Sequence, residues 1–160
     1  MKRLTMLMLV AFAAAIAQPN CSMDISMDML QGTYAVSYYG TMQIMQPGAA
    51  SPMTATGGIV GVISIGYDGA ISGGAAVSGF GPVTDYEVAG TAQLTGCVGK
   101  LSLKVRPKGV TEWKTEIDRF VLDPDGKTLL VIIVDFGPGV YPAIQGTWKR
   151  ISHLPYAASW

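Results

Sequence analysis

Carboxylates spaced two or four residues apart are the first candidates for chemistry in this 160-residue chain. Two sets each share one strand face: Asp85 with Glu87, and Glu112 with Glu116 and Asp118. Facing carboxyl groups can divide acid and base work, as in glycoside hydrolysis. Both sets, however, lie on the polar faces of alternating strands, so we expect solvated cross-strand partners of Lys100, Lys104 and Lys114.

Arg119 is the candidate anchor for a ligand. Strict alternation places it on the apolar face with Trp113 and Ile117, where a guanidinium would bind a carboxylate or stabilise developing negative charge. A β-bulge near Asp118 would turn Arg119 outward, and we favour this alternative because burying an unpaired Arg is costly. Asp135 is the matching acid, and its structural alternative is a hydrogen bond to the Gly-Pro-Gly turn that follows.

The chain offers no nucleophile–base arrangement and no convincing metal site. The single histidine, His153, falls beyond the last predicted strand without a partner at recognisable spacing. Met23, Met27 and Met29 are soft thioethers that could hold Cu(I). Met23, Met27 and Leu30 also repeat with the period of a short helix, which favours a helical lid; we expect neither metal nor cofactor.

The elements that position these residues are predicted to be strands. The hairpin at 111–136 turns at Asp-Pro-Asp-Gly, where Pro124 and Gly126 suit the turn. Its second arm, 129–134, is apolar on both faces and is predicted to be buried on both. A loop is predicted at 46–57, and Asp68-Gly69 marks another hairpin.

Eight strands with short connections indicate an all-β fold, an eight-stranded antiparallel up-and-down barrel with a short N-terminal helix. We expect a signal peptide at 1–17, a helical segment at 18–31, the barrel at 32–152 and a tail at 153–160. Lys2 and Arg3 precede an apolar run that ends at Ala17, so the protein is predicted to be secreted or periplasmic. Cys21 and Cys97 are predicted to form a disulfide there.

Charge and alternation limit the partners. Net charge is zero and the basic residues are scattered, so no nucleic-acid surface is predicted. Alternation does not say which face points inward, and Leu154, Tyr156, Ala158 and Trp160 resemble the C-terminal assembly signal of outer-membrane barrels. The doubly apolar seventh strand favours a sealed core, so a small outer-membrane barrel is the less favoured alternative.

Gly32-Thr33-Tyr34 at the first strand and Arg150 in the last resemble lipocalins and their calycin relatives. In that family a Trp stands where this chain has Tyr34, and a late Arg packs across the closed end. The resemblance implies a barrel that holds a small hydrophobic or amphipathic molecule. The alternative is a cofactor-independent cyclase or isomerase acting on a small hydrophobic substrate, as in barrels of the allene oxide cyclase and dirigent type.

Aromatic residues on the apolar faces would supply contact area, with Arg119 as the polar anchor. The predicted ligand-binding residues are Tyr34, Tyr38, Tyr86, Trp113, Arg119 and Trp148. The sequence leaves open the identity of the ligand, the oligomeric state and whether the protein is an enzyme.

Overall fold

The computed structural model of the protein describes residues 26–79, 81–96 and 98–155. Eight antiparallel strands form a closed barrel in which each strand pairs with its sequence neighbours and β8 returns to β1. The strands are β1 (Gly32–Ile44), β2 (Met53–Ile65), β3 (Ala70–Ser78), β4 (Thr84–Thr95), β5 (Val98–Pro107), β6 (Lys114–Leu122), β7 (Thr128–Asp135) and β8 (Val140–Ser152). The predicted all-β barrel is confirmed.

The predicted N-terminal helix is reduced to a single 3-10 turn at Met27–Met29. Leu30, which follows it, is completely buried, while Met27 and Met29 pack against the core from partly buried positions. The segment therefore covers one end of the barrel with a turn. Within the described ranges, no helix is long and apolar enough to cross a membrane.

The strand boundaries depend on the turns. Between β6 and β7, Gly126 has φ +67° and its N–H donates to the Asp123 carbonyl at 2.8 Å, as expected for the Asp-Pro-Asp-Gly turn. The predicted loop at 46–57 is shorter than expected, because β2 begins at Met53 opposite Ile44. Thr54 and Thr56 pair with β1 in register, and their β-branched side chains suit a strand.

The seventh strand corrects a second expectation. Leu129, Val131 and Ile133 are buried, but Leu130, Ile132 and Val134 on the opposite face are 50%, 50% and 44% exposed. In the described part of the chain the strands form one closed sheet, and an apolar run in a single sheet is buried on both sides only where a second layer covers the outer face. The doubly apolar pattern here reflects an outward apolar stripe.

The barrel is packed at one end. This end contains the β2–β3 and β6–β7 turns, the start of β1 and the end of β8. The Tyr34 hydroxyl donates to the Leu30 carbonyl at 2.7 Å, and the guanidinium carbon of Arg150 lies 5.8 Å from the centroid of the Tyr34 ring. The residues that suggested a packed closing pair therefore lie together at this end, which we call the closed end.

Candidate ligand-binding cavity

The opposite half of the barrel contains a cavity of about 370 Å³. Its walls come from seven strands, all but β7, and from the turn after β7: Val36, Tyr38, Met42, Ile44, Ile59, Ile63, Ala75, Val77, Tyr86, Val88, Leu103, Val105, Lys114, Glu116, Phe136, Val140 and Trp148. This volume corresponds to about a dozen water molecules at liquid density. Ligand sites of this kind are mostly apolar, with a few polar groups that fix orientation.

Strand topology places the mouth of the cavity. The segments 45–52, 79–83, 108–113 and 136–139 connect strands at this end. Ile44, Val77 and Phe136 are partly exposed where they line the cavity, and Lys114 is exposed. The cavity thus extends from the centre of the barrel to a rim of loops.

Two carboxyl groups stand inside the barrel, contrary to the expectation of solvated pairs. Glu116 is 5% exposed and lines the cavity, and Asp118 is completely buried behind it. The cross-strand partner of Glu116 is Leu103, which is also buried. Residues directly opposite on paired strands point to the same face, so the pairing with β5 places the polar side of β6 inside.

Asp118 belongs to a buried hydrogen-bond chain. The Tyr38 hydroxyl donates to Asp118 Oδ2 at 2.6 Å, and Trp148 Nε1–H donates to the same hydroxyl at 2.7 Å. Asp118 Oδ1 is buried without an N–H or hydroxyl partner, and the neighbouring Glu116 carboxyl is the group that can hydrogen-bond to Asp118 when it is protonated. Because each buried polar atom ordinarily finds a partner, this oxygen is an exception that the packing of β6 leaves in place.

Burial controls the ionisation of this cluster. Removal from water raises the pKa of Asp118 to about 6, against the lowering effect of the Tyr38 hydrogen bond. Burial and the neighbouring charge of Asp118 together raise the pKa of Glu116 well above its ordinary value. The arrangement therefore favours the protonated form of both carboxyl groups more than water does, beside an apolar cavity, which is the condition for a buried acid or base.

Three of the predicted ligand-binding residues, Tyr38, Tyr86 and Trp148, line the cavity. Tyr34 does not, because it is completely buried at the closed end under Arg150. Alternation correctly predicts that the Tyr34 ring points into the barrel. It does not predict whether a residue lies at the packed end or beside the cavity, which depends on its position along β1.

Trp113 and Arg119 lie outside the cavity. Trp113 precedes β6 and is 37% exposed, with the Arg106 guanidinium 4.3 Å from its ring centroid. Arg119 is exposed between the buried residues Asp118 and Phe120, so the placement of Arg119 as an interior anchor is wrong. Arg106 also pairs with Glu87 at 2.6 Å on the outer surface, as expected for a cross-strand charge pair.

The reason for the outward Arg119 differs from the one expected. Pairing between β6 and β7 does shift between Ile117 and Asp118, where Ile117 faces Asp135 and Asp118 faces Ile133. The extra residue, Val134, therefore belongs to β7. Burial alternates without interruption along β6 from Glu116 to Leu122, so Arg119 faces outward by regular alternation counted back from Phe120.

Two further candidates have structural roles. The Asp135 carboxylate accepts a hydrogen bond from the Gly137 N–H at 2.8 Å, which is the turn role considered for it. His153 is exposed, and its Nδ1 lies 3.3 Å from Arg150 Nη1. Cys21, Cys97, Met23, the signal segment 1–17 and residues 156–160 lie outside the described residues.

Sequence reasoning missed Glu116 and Asp118 as interior groups. The signal that could have found them is the regular spacing of Glu116, Asp118, Phe120 and Leu122, four residues on one face. Because Phe120 and Leu122 are large and apolar, the face that they share with Glu116 and Asp118 is the one expected to point inward. Comparison of the chain with known protein families, with curated proteins and with solved structures found no match.

Proposed function

We propose that this protein binds a small apolar or amphipathic molecule in the interior of its barrel. The observation that carries the proposal is the 370 Å³ cavity, whose walls are mostly aliphatic and aromatic and whose polar groups are few. An apolar molecule gains free energy by leaving water for such a cavity. Tyr38, Tyr86 and Trp148 supply aromatic contact area, and Glu116 supplies a polar contact on one wall.

Secretion and a cleaved signal peptide remain part of this proposal, since the sequence pattern at 1–17 supports them. The outer-membrane alternative is less favoured. On β5 the buried residues Leu101, Leu103 and Val105 alternate with outward-facing Lys100, Ser102, Lys104 and Arg106. Lipid would require apolar side chains at those outward positions.

The test is a titration with N-phenylnaphthylamine, an uncharged dye whose fluorescence rises in apolar surroundings. The wild-type protein is compared with Ala75→Phe, which fills the cavity, and with Ala35→Phe, which adds the same ring to an exposed position on β1. We expect saturable binding of one dye per protein, with an affinity at least about ten-fold lower in Ala75→Phe than in the control. Equal affinity in both variants would contradict binding inside the barrel.

A second candidate function is catalysis by a cofactor-independent cyclase or isomerase. The observation that favours it is the buried Glu116 carboxyl, with its raised pKa, on the wall of an apolar cavity. A desolvated carboxylate is a strong base for a C–H proton. Ring opening of nitrobenzisoxazole measures this directly: Glu116→Gln should abolish any turnover, and a Glu112→Gln control at an exposed site should retain it.

A further inference from the structure

The wall of the cavity carries a buried acid that has no cationic partner among the described residues. Glu116 and Asp118 are both buried, yet among the described residues the ion pair within 4.0 Å joins Arg106 to Glu87 on the outer surface. Lys114 lines the rim, but it is exposed and makes no such pair with Glu116. A buried carboxylate without a cation is costly to the fold.

The second observation is the unpartnered oxygen of Asp118. Asp118 is completely buried, and Oδ2 receives the Tyr38 hydroxyl while Oδ1 receives no N–H or hydroxyl donor; the neighbouring Glu116 carboxyl is the group that can hydrogen-bond to Asp118 when it is protonated. An acceptor in this state has the free energy of a missing hydrogen bond available to a suitable donor. When Glu116 gives up its proton, the carboxyl pair therefore has acceptor capacity beside the cavity.

Aromatic faces complete the setting. Tyr86, Phe136 and Trp148 line the same cavity as Glu116, and aromatic rings attract cations through their electron-rich faces. A cavity lined by a carboxyl group and by aromatic rings favours an organic cation over an anion of the same shape.

We propose that the ligand of this cavity carries a basic nitrogen, with its apolar body among the aliphatic walls and its ammonium group against Glu116. This inference rests on the proposed interior binding and names the chemical class of the ligand. The ammonium group supplies the missing counter-charge to the carboxyl pair and strong hydrogen bonds to Glu116.

Binding of an ammonium ion is coupled to release of a proton from Glu116. Burial and the neighbouring Asp118 raise the pKa of Glu116 well above its ordinary value, so wherever Glu116 carries a proton, binding an ammonium ion displaces that proton to solvent and leaves a carboxylate–ammonium pair. The titratable groups facing Glu116 are Asp118 on the same strand, Tyr38 on β1, Tyr86 on β4 and Lys114 at the rim. Binding should therefore strengthen as pH rises through the range in which Glu116 loses its proton.

The test uses four ligands of similar size in competition with N-phenylnaphthylamine: phenethylamine, phenethyl alcohol, phenylacetate and phenylacetone. We expect phenethylamine to bind at least about ten-fold more tightly than phenethyl alcohol. Glu116→Gln should remove that preference and leave the affinity for the alcohol within about three-fold of wild type. The exposed control Glu112→Gln should retain the preference.

Proton release is the independent readout. Calorimetry of phenethylamine binding in two buffers with different ionisation heats should show net release with wild type and none with Glu116→Gln. If the alcohol or the ketone binds as tightly as the amine, or phenylacetate binds most tightly at Lys114, the cation proposal is wrong while interior binding stands. If the dye itself does not bind inside the barrel, the proposed function fails first.

Discussion

The two ends of the barrel enclose polar groups in opposite ways. At the closed end, the Tyr34 hydroxyl donates to the Leu30 carbonyl, and Arg150 stacks on the ring while Nη1 reaches the Gln31 carbonyl at 3.4 Å. One donor there, Arg150 Nε, is buried without an acceptor. At the cavity end, two carboxyl groups are buried and the oxygen Asp118 Oδ1 receives no donor.

The difference lies in space and charge. The guanidinium of the closed end lies against an aromatic ring and fills the volume around it, so the end is packed and its cation has a partner surface. At the cavity end, Glu116 borders a cavity of about 370 Å³ and Asp118 is buried behind it. We interpret the first arrangement as structural and the second as a site held ready for a ligand.

The largest loss of stability is expected from a substitution at the closed end. Tyr34→Ala removes a completely buried ring, its hydrogen bond to Leu30 and its contact with Arg150. We expect a loss of about 3–5 kcal/mol in the free energy of unfolding, the usual cost of removing a large core side chain. Urea unfolding measures it, with the exposed neighbour Tyr39 as control: Tyr39→Ala should cost less than about 0.5 kcal/mol.

The carboxyl pair should have the reverse effect, lowering stability as pH rises. An acid whose pKa is raised by folding stays protonated in the native state after the unfolded chain has lost its proton, so unfolding becomes more favourable with increasing pH. For Asp118, the change from 3.8 to about 6 corresponds to about 3 kcal/mol, lost between about pH 4 and pH 6. Burial raises the pKa of Glu116 as well, which extends the loss to higher pH.

The measurement compares wild type with the double variant Glu116→Gln, Asp118→Asn in urea at pH 4 and pH 8. The variant should gain stability relative to wild type on going to pH 8, by about 3 kcal/mol from the loss of Asp118, with the loss of Glu116 adding to this gain. A difference that is the same at both pH values would show that the carboxyl groups ionise as freely in the barrel as in the unfolded chain. That result would contradict the claim that burial at the cavity end raises the pKa of the two carboxyl groups.

The smallest expected effect is at Arg119, which serves as an outer reference for both ends. Its side chain is exposed, so Arg119→Ala should change the free energy of unfolding by less than about 0.5 kcal/mol. Dye affinity should also be unchanged. A ten-fold loss of affinity in this variant would restore Arg119 as a ligand anchor and place the binding site on the outer wall.

The sequence predicted most of the fold because turns and alternation are local. Asp68-Gly69 and the Asp-Pro-Asp-Gly turn lie where expected, and Gly69 and Gly126 both have positive φ. Between such turns the eight strands follow, and closing them into a barrel requires no more than neighbour pairing.

The candidate site was harder to predict because alternation gives two faces without saying which is inward. Counting alternation from Trp113 as an interior residue is misleading, because Trp113 precedes β6 and stacks with Arg106 outside the barrel. That choice inverted the first half of β6 and placed Glu116 in solvent. Register with β5, which aligns Glu116 with buried Leu103, decides the matter, and the apolar residues Phe120 and Leu122 on the same face are the local signal that agrees with it.

The most direct test of interior binding is a crystal structure of the protein with N-phenylnaphthylamine. We predict electron density for the dye among Tyr86, Leu103 and Trp148, beside Glu116 and within the barrel. Density on the outer wall instead, against the exposed side chains of Leu130 and Ile132, would contradict the account and assign binding to the apolar stripe of β7.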